Sequence, residues 1–281
     1  MIGYFLEPFS YEYMTRAIWV AMMVGGICAF LSCFLMLKGW SLMGDALSHS
    51  IVPGVAIAAI FNFPYSLGAF FSGALAALSM FFVRSKTRLR EDAVIGIVFT
   101  SFFAMGLLIV SIFPTSVNLQ SIILGNMLTI SPEDLFQIVM ISLISLVVLI
   151  LKWKDFRVLF FDYHHAKSMG MPVTFLYVLF FSLLSGMTVA ALQTVGAILV
   201  IAMIITPGAT AYLFTNRFDK LITLSVFMGA LTCGVGAYVS YFLDVHPGGL
   251  TVLIQTLIFF FSFCFSPRYG LIYTLRFWRS F

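Results

Sequence analysis

Two residues in the segment 44–56, GDALSHSIVPGVA, have side chains that commonly bind metal ions: Asp45 and His49. They are four residues apart, so on a helix both side chains project from one face and can reach a single ion. A carboxylate oxygen with an imidazole nitrogen suits manganese, iron or zinc better than magnesium or calcium, which prefer shells made of oxygen alone. The segment therefore predicts part of a binding site for a divalent transition metal.

The spacing of this pair is also compatible with a structural role. A protonated Asp45 could donate a hydrogen bond to a neutral His49, or Asp45 could cap the N-terminus of a helix. Two side chains leave a coordination shell incomplete, so further ligands would come from water, backbone carbonyls or another segment, with Ser48 and Asn126 as candidates. An open shell suits a transporter, because its site must release the ion that a closed structural zinc site retains.

Two other segments contain residues of functional interest. In 243–249, LDVHPGG, Asp244 and His246 could attract a cation at the outer mouth of a pathway, or could be ordinary solvated loop residues. In 192–213, small residues permit close helix approach and a proline frees a backbone carbonyl. That composition fits a helix beside a pathway at the centre of a bundle, or a helix that is merely kinked. The residues concerned are Gly196, Thr206, Pro207 and Gly208.

The composition places these segments in a membrane. Of the 281 residues, 62% are apolar and 9% are charged, whereas soluble domains are about 45–50% apolar and about 25% charged. Charged groups inside a bilayer are costly unless paired, hydrated or bound to an ion, so Asp45 and His49 are functional candidates. The formal charge of +4 comes from basic residues at helix ends, which excludes a nucleic-acid partner and leaves membrane lipid as the surroundings.

Nine apolar runs approach the length of about 20 residues that a membrane helix needs. The second is short and contains Pro53 and Gly54, so we expect it to be broken or re-entrant. The expected fold is an all-α polytopic bundle of eight to nine transmembrane helices, with residues 1–281 forming one domain. The runs are 16–37, 46–62, 66–83, 93–113, 133–151, 173–191, 194–213, 221–243 and 249–266.

The basic residues predict the orientation, because cytoplasmic loops retain Lys and Arg. With nine spans, only Arg16 falls outside, so the C-terminus is expected in the cytoplasm and the N-terminus outside. Glu91 and Asp92 adjoin one basic loop and are expected to pair with it. The cytoplasmic basic residues would be Lys38, Arg84, Lys86, Arg88, Arg90, Lys152, Lys154, Arg157, Lys167, Arg217, Lys220, Arg268, Arg276 and Arg279.

The longest cytoplasmic loop is expected at 152–172, KWKDFRVLFFDYHHAKSMGMP. Its second half is amphipathic and ends with Gly170 and Pro172, as helices commonly do. Such a loop could dock on a cytoplasmic partner or rest on the lipid headgroups. His164 and His165 are interpreted as part of its polar surface rather than as metal ligands.

Motifs for nucleotide binding and for proteolysis are absent from the sequence. It contains neither GxxxxGK[ST] nor HExxH, so transport driven by ATP would need a separate ATPase chain. The four cysteines, Cys28, Cys33, Cys233 and Cys264, lie in apolar runs without a CxxC motif and are interpreted as packing residues.

Three segments together resemble the signature regions of a known family. KGWSLMGDALSHSIVPGVA (38–56), VLFFDYHHAKSMGMPV (158–173) and LQTVGAILVIAMIITPGATAYL (192–213) are similar to regions in the membrane permease of bacterial manganese, zinc and iron ABC importers. The resemblance covers nearly the whole chain and is strongest to the iron/manganese branch of Gram-negative bacteria. It implies import of manganese or ferrous iron across the inner membrane, by a transport subunit without enzymatic activity of its own.

The resemblance also implies partners and residue roles. It implies a second permease copy, as a homodimer or with a paralogous permease, two cytoplasmic ATPase subunits that bind ATP, and an extracytoplasmic solute-binding protein. Asp45 and His49 would be ligands of the transported metal. Asp162, Ala166 and Gly170 would belong to a coupling helix that docks on the ATPase, with the alanine permitting close contact and the glycine ending the helix.

Three functions remain as alternatives to this one. The same pair could serve a zinc importer of the same family, because affinity order at such a site favours zinc over manganese. It could titrate in a proton-driven secondary metal transporter. It could also hold a catalytic ion in an intramembrane enzyme, although no motif in the sequence supports that activity.

Overall fold

The structure, a computed structural model, describes residues 7–40, 42–87, 89–113 and 132–266. This described part consists of α-helices and the short connections between them, with no β-strand. The helices are α1 (Glu12–Lys38), α2 (Met43–Ser50), α3 (Val52–Phe61), α4 (Tyr65–Lys86), α5 (Glu91–Ile112), α6 (Pro132–Phe161), α7 (Tyr163–Ser168), α8 (Val173–Val195), α9 (Ala197–Phe214), α10 (Phe218–Leu243) and α11 (Pro247–Phe265).

Eight stretches of the described chain are long and apolar enough to cross a membrane, judged by length and composition. They are α1, α2 together with α3, α4, α5, α6, α8, α10 and α11. The helix α9 is apolar but has only 18 residues, a length of about 27 Å at the usual helical rise. The expected all-α bundle of eight to nine membrane helices is therefore confirmed.

The second apolar run is broken, as its composition predicts. The helix α2 ends at Ser50 and α3 begins at Val52, with Pro53 in the first turn, where a missing N–H costs no helical hydrogen bond. A Cβ atom on Gly54 would lie 2.0 Å from the carbonyl oxygen of Gly68. The helices α3 and α4 thus cross in backbone contact, which fixes the position of α2 at the start of the broken span.

One predicted boundary was wrong. The fifth run was expected to end near residue 151, but α6 continues without a break to Phe161. Its last turns are stabilised by an ion pair between Lys152 and Asp155 at 2.9 Å, and Arg157 reaches Asp219 at the start of α10, also at 2.9 Å. The connection between α6 and α8 is therefore residues 162–172, called the coupling segment below.

An aromatic cluster holds four helices together near this end of the molecule. Phe34 of α1 is fully buried. Its ring centroid lies 5.2–5.9 Å from those of Phe156, Phe160, Phe180 and Phe218. These distances are typical of favourable aromatic pairs. The cluster therefore fixes α1 against the ends of α6, α8 and α10 that adjoin the coupling segment.

The helices α5, α6 and α11 lie at the outside of the bundle. In each of these helices, only 22% of the most apolar stretch of 18 residues is buried inside the chain. Large apolar side chains such as Leu108, Leu151 and Phe261 are exposed along them. Apolar surface on this scale is expected where lipid or another protein covers the molecule.

Candidate metal site and its surroundings

The helix α2 is buried on every side except the one that carries Asp45 and His49. Gly39, in the left-handed conformation (φ 69°), ends α1 and lets the chain turn back into the bundle. Most residues of α2 are then buried, whereas the side chains of Asp45 and His49 are 36% and 35% exposed. The sequence thus places its two potential ligands together on the open face of an otherwise buried helix.

The two side chains touch as their spacing predicts. The Nε2 atom of His49 lies 3.3 Å from Oδ1 of Asp45. The imidazole ring is walled by α5, with its centroid 5.4 Å from that of Phe103 and 6.2 Å from that of Phe99. The aromatic walls restrict the ring on one side, so the oxygen and nitrogen of the pair face a common open space.

The alternative role of Asp45 as a helix cap is wrong. The N-cap position of α2 is Leu42, and no side chain caps this terminus. Asp45 lies inside the first turn of α2, where the helix dipole favours its negative charge. Because it does not cap the helix, its carboxylate is available for the contact with His49 or for a metal ion. The hydrogen-bonded pair and the metal-binding pair remain as interpretations of the contact with His49.

The described residues do not complete the site with side-chain ligands. Among them, no group of three or more His, Cys, Asp or Glu side chains is placed to hold a metal ion. Ser48, a candidate further ligand, is buried and donates its hydroxyl to the carbonyl oxygen of Gly44 at 2.8 Å. Asn126 lies outside the described residues. Within the part of the chain that the structure describes, the pair is therefore an incomplete site.

The small-residue helix α9 supports α2 from behind. It packs against α1, α2, α8, α10 and α11, so it lies in the interior of the bundle. A Cβ atom on Gly44 would meet the side chain of Ile204 at 3.3 Å, so α2 and α9 are in close contact beside the pair. Gly196, with φ 80°, separates α8 from α9, and the Thr206 carbonyl accepts a hydrogen bond from Thr210.

The proline in α9 is accommodated by one side chain of α1. Ser32 donates its hydroxyl to the carbonyl oxygen of Ile205 at 3.1 Å and accepts from the backbone N–H of Gly208 at 3.1 Å. Both bonds flank Pro207, which lacks the N–H that would continue the helical pattern. Gly208 allows this approach, because a Cβ there would lie 2.3 Å from the Ser32 oxygen. Ser32 therefore ties α1 to α9 on both sides of Pro207.

The residues predicted at the outer mouth form the turn between α10 and α11. Asp244 has φ 51° and follows the last residue of α10, and His246 precedes the first residue of α11. The Nδ1 atom of His246 accepts a hydrogen bond from the N–H of Gly248 at 3.2 Å. Both side chains are exposed. Their position is consistent with contact with a cation from solvent, and His246 also has a structural role as a helix cap.

The three predicted coupling residues have distinct local roles. Asp162 caps α7, its Oδ1 accepting from the N–H groups of His164 and His165 at 2.8 and 3.0 Å. These bonds, chiefly the one from His165, lower the pKa of Asp162. Gly170 has φ 73° and follows the end of α7. Ala166 is fully buried within its own chain and packs α7 on the bundle.

The exposed side of the coupling segment borders an open cleft. This cleft has a volume of about 390 Å³ and is lined by the end of α6, the coupling segment and the start of α10. His165 is one of its lining residues, and His164 and His165 are both exposed, as predicted for a polar surface. The remaining lining residues are Arg157, Val158, Phe161, Asp162, Asn216 and Phe218.

The predicted pairing of Glu91 with the neighbouring basic loop is confirmed. Its carboxylate forms an ion pair with Arg84 and also accepts a hydrogen bond from the indole of Trp40. Sequence reasoning did not identify Trp40, Ser32, Phe99 or Phe103 as part of the surroundings of the site. The sequence gives no sign of these contacts, because each joins residues more than 40 positions apart.

Comparison with known proteins decides the family. Residues 10–266 match a family described as "ABC 3 transport family". The chain belongs to the ABC 3 transport family. The resemblance seen in the three sequence segments is thereby confirmed over nearly the whole chain.

Relatives within the ABC 3 transport family include proteins named for iron and manganese. The chain is 60% identical over 274 residues to "Chelated iron transport system membrane protein YfeC" of Yersinia pestis, covering 98% of this chain and 93% of that one. It is 48% identical over 267 residues to "Manganese transport system membrane protein MntB" of a Synechocystis species, covering 95% and 87%. The similarity to the iron/manganese branch is thus confirmed.

A solved structure supports the fold assigned to this member of the ABC 3 transport family. It is described as "PsaBC from Streptococcus pneumoniae in complex with Fab" and aligns with a TM-score of 0.85 and 34% identity. The alignment covers 98% of this chain and 100% of the other. The arrangement of the described helices is therefore shared with that solved structure.

Proposed function

We propose that this chain is the permease subunit of an ATP-binding cassette importer that moves manganese, ferrous iron or both into the bacterial cytoplasm. The observation that carries the proposal is the contact between Asp45 and His49 on the only open face of α2. One hard oxygen and one nitrogen ligand suit these ions, and an incomplete shell permits release. The names of the relatives support these two metals ahead of zinc.

The partners follow from the two ends of the bundle. The coupling segment and its cleft would receive a cytoplasmic ATPase, which would bind and hydrolyse ATP, since the sequence contains no nucleotide-binding loop of its own. The opposite end, with the turn at Asp244 and His246, would receive metal from an extracytoplasmic binding protein. Lys38, Arg84 and Arg157 all lie at the end of the bundle that carries the coupling segment. Because cytoplasmic loops retain Lys and Arg, this end, and with it the C-terminus, would lie in the cytoplasm.

A second permease copy would complete the site. Asp45 and His49 are partly exposed at the surface of one copy, and its described residues bring no third His, Cys, Asp or Glu side chain to them. A homodimer with a two-fold axis beside α2 would bring a second identical pair to the first. Four protein ligands, two oxygens and two nitrogens, would then hold an ion with exchangeable water.

Transport would proceed by alternating access of this site. Closure of the two ATPases on ATP would move the coupling segments, and α6 and α10 would transmit that movement through their contacts with α1. The contacts from α1 to α9, and from α9 to α2, lead to the metal pair. The pair would then face the outer and the inner side in turn.

The test is uptake of radiolabelled manganese into membrane vesicles that contain the full complex. Asp45→Ala should abolish uptake while the complex still assembles, and Glu133→Ala, which removes an exposed carboxylate elsewhere, should leave uptake unchanged. Uptake by Asp45→Ala at the wild-type rate would rule out the role assigned to the pair.

The same vesicles separate the alternatives. Uptake that requires ATP and the ATPase chain supports the importer, whereas uptake driven by a proton gradient without ATP would support a secondary transporter. Competition by unlabelled manganese, ferrous iron and zinc ranks the substrates. Stronger competition by zinc than by both other ions, together with zinc in the purified complex, would favour the zinc importer.

A further inference from the structure

Three residues at the inner end of the metal site bind one another across three separate segments. Trp40 lies between α1 and α2, Arg84 lies in the last turn of α4, and Glu91 is the first residue of α5. None of them is part of the metal pair or of the coupling segment. We call this group the inner clasp.

Each polar group of the inner clasp has a specific partner. One carboxylate oxygen of Glu91 pairs with the Arg84 guanidinium, and the other accepts a hydrogen bond from the indole N–H of Trp40. The guanidinium also lies over the indole ring, 5.4 Å from its centroid. On its far side the indole stacks on Phe181 at 5.5 Å, with 19° between the rings. A planar guanidinium can pair and stack at once, which an ammonium group cannot do.

The inner clasp is partly buried, which strengthens its polar contacts. Trp40 is only 3% exposed, and the side chains of Arg84 and Glu91 are about one-third exposed, 35% and 33%. Charge-assisted hydrogen bonds strengthen when water is partly excluded, and a partly buried charge left without its partner is unfavourable. Glu91 is also stabilised by its position at the N-terminus of α5. The charges of Arg84 and Glu91 are therefore most stable when the two groups are either paired or hydrated.

The inner clasp ties together the helices that frame the metal pair. Trp40 precedes α2 directly, and Glu91 begins the helix whose Phe99 and Phe103 wall the imidazole of His49. Arg84 ends α4, which is in backbone contact with α3. Separating α4 and α5 from the start of α2 therefore requires breaking the contacts of Glu91.

The space enclosed by the inner clasp is small and apolar. It has a volume of about 20 Å³, enough for about one water molecule and not for a hydrated ion. Apart from Arg84 and Glu91, its walls are apolar or aromatic side chains. They are Trp40, Met43, Met80, Phe81, Val94, Ile95 and Phe181.

We propose that Trp40, Arg84 and Glu91 form a gate that closes the inner side of the metal site and opens when Glu91 separates from its two partners. In the closed state the contacts of Glu91 hold the residue that precedes α2 against the ends of α4 and α5. On opening, Arg84 and Glu91 become hydrated, which offsets part of the loss of their contacts. The inference rests on the proposed function and assigns these residues a positioning role, not a role as metal ligands.

The experiment uses the full complex in proteoliposomes preloaded with radiolabelled manganese. Glu91→Gln and Arg84→Met should each raise ATP-independent release of the ion about tenfold, because weakening a gate shifts its closed–open equilibrium by the lost interaction. The amount of manganese transported per ATP hydrolysed should fall. Arg84→Lys keeps the charge and should fall between wild type and Arg84→Met.

Two controls separate a gate from general destabilisation. Glu12→Gln breaks an exposed Arg–Glu pair at the opposite end of α1 and should leave leak and transport ratio unchanged. The double variant Arg84→Met with Glu91→Gln should leak no more than the worse single variant, because both changes remove one interaction. Trp40→Phe keeps the aromatic packing but removes the N–H, and should leak without loss of assembled complex.

The outcomes are distinct. The gate would be overturned, with the proposed function left intact, if assembled Glu91→Gln and Trp40→Phe complexes showed the leak and transport ratio of wild type. Leaks that add up in the double variant would have the same consequence. A wild-type complex that takes up no metal with ATP would instead overturn the proposed function, and this inference with it.

Discussion

At the residue scale, the two side chains of the proposed metal pair are held differently. The imidazole of His49 is walled by the rings of Phe99 and Phe103, whereas the carboxylate of Asp45 makes its polar contact, among the described residues, with His49. On the proposed function, a fixed nitrogen and a more adaptable oxygen would allow ions of different size to bind. The nitrogen would then decide how strongly the softer ions compete.

Replacing that nitrogen should change metal preference. His49→Asp supplies two carboxylates four residues apart, a harder ligand set that disfavours zinc relative to manganese. We expect zinc to compete at least several-fold less effectively against labelled manganese than in wild type. Competition curves in vesicles measure this, and an unchanged ratio of zinc to manganese inhibition would show that His49 is not a ligand.

The cap of the coupling helix should depend on pH. Because two backbone N–H groups lower the pKa of Asp162 in the folded chain, its contribution to stability is fully present above the ordinary aspartate value and is lost as pH falls through the lowered one. Amide exchange at His164 and His165 should therefore accelerate at the acid end, beyond the intrinsic effect of pH. Asp162→Asn, which cannot titrate, should remove this acceleration, and equal behaviour of both proteins would contradict it.

At the element scale, hydrophobic runs predicted which segments are helical but not where each helix ends. All nine runs are helices, and Pro53 correctly indicated the break between α2 and α3. The extension of α6 to Phe161 was missed, because its polar last turns are stabilised by Asp219, which lies 62 residues beyond Arg157 in the sequence. Composition reports what a segment can bury, whereas such long-range partners become visible only in the folded chain.

Contact between α3 and α4 should not tolerate a single added methyl group. In Gly54→Ala the new Cβ would lie 2.0 Å from the Gly68 carbonyl oxygen, so the helices must separate, at a cost of about 1–3 kcal/mol. Gly96→Ala is the matched control, because nothing lies within 4 Å of its Cβ position. Thermal unfolding of the purified complex should show a lower midpoint for the first variant only.

Loss of the Ser32 hydroxyl, which ties α1 to α9 beside Pro207, should destabilise the bundle. Ser32→Ala leaves the Ile205 carbonyl and the Gly208 N–H without the bonds they make in the interior, a cost of about 1–3 kcal/mol. Ser101→Ala removes an exposed hydroxyl that bonds only within its own helix and should have little effect. Equal unfolding midpoints for the two variants would contradict the role given to Ser32.

At the scale of the whole molecule, the sequence predicted the membrane class, the helix number and the contact between Asp45 and His49, and it could not predict the inner clasp. Asp45 and His49 are close in sequence, so helix periodicity alone brings them together. Trp40, Arg84 and Glu91 meet only because three chain segments converge, and Glu91 was expected to pair with the basic loop without any indication of the indole. Local pattern thus found the candidate pair, while tertiary structure is needed to find the residues around it.

Completion of the site by a second copy predicts its stoichiometry. If each copy supplies one oxygen and one nitrogen, the purified complex should bind one manganese ion per two permease chains. Equilibrium dialysis with the radiolabelled ion measures this ratio. In complexes that combine one wild-type copy with one Asp45→Ala copy, affinity should fall substantially below that of wild type; one tightly bound ion per chain would contradict the shared site.

The partial exposure of Asp45 and His49 has a consequence for how the cell assembles this protein. Because the pair lies on a partly exposed face of α2, one copy inserted alone would offer an ion a surface that no second pair completes. On the proposed function, a newly synthesised chain would therefore acquire its affinity for the ion only when a second copy joins it in the membrane.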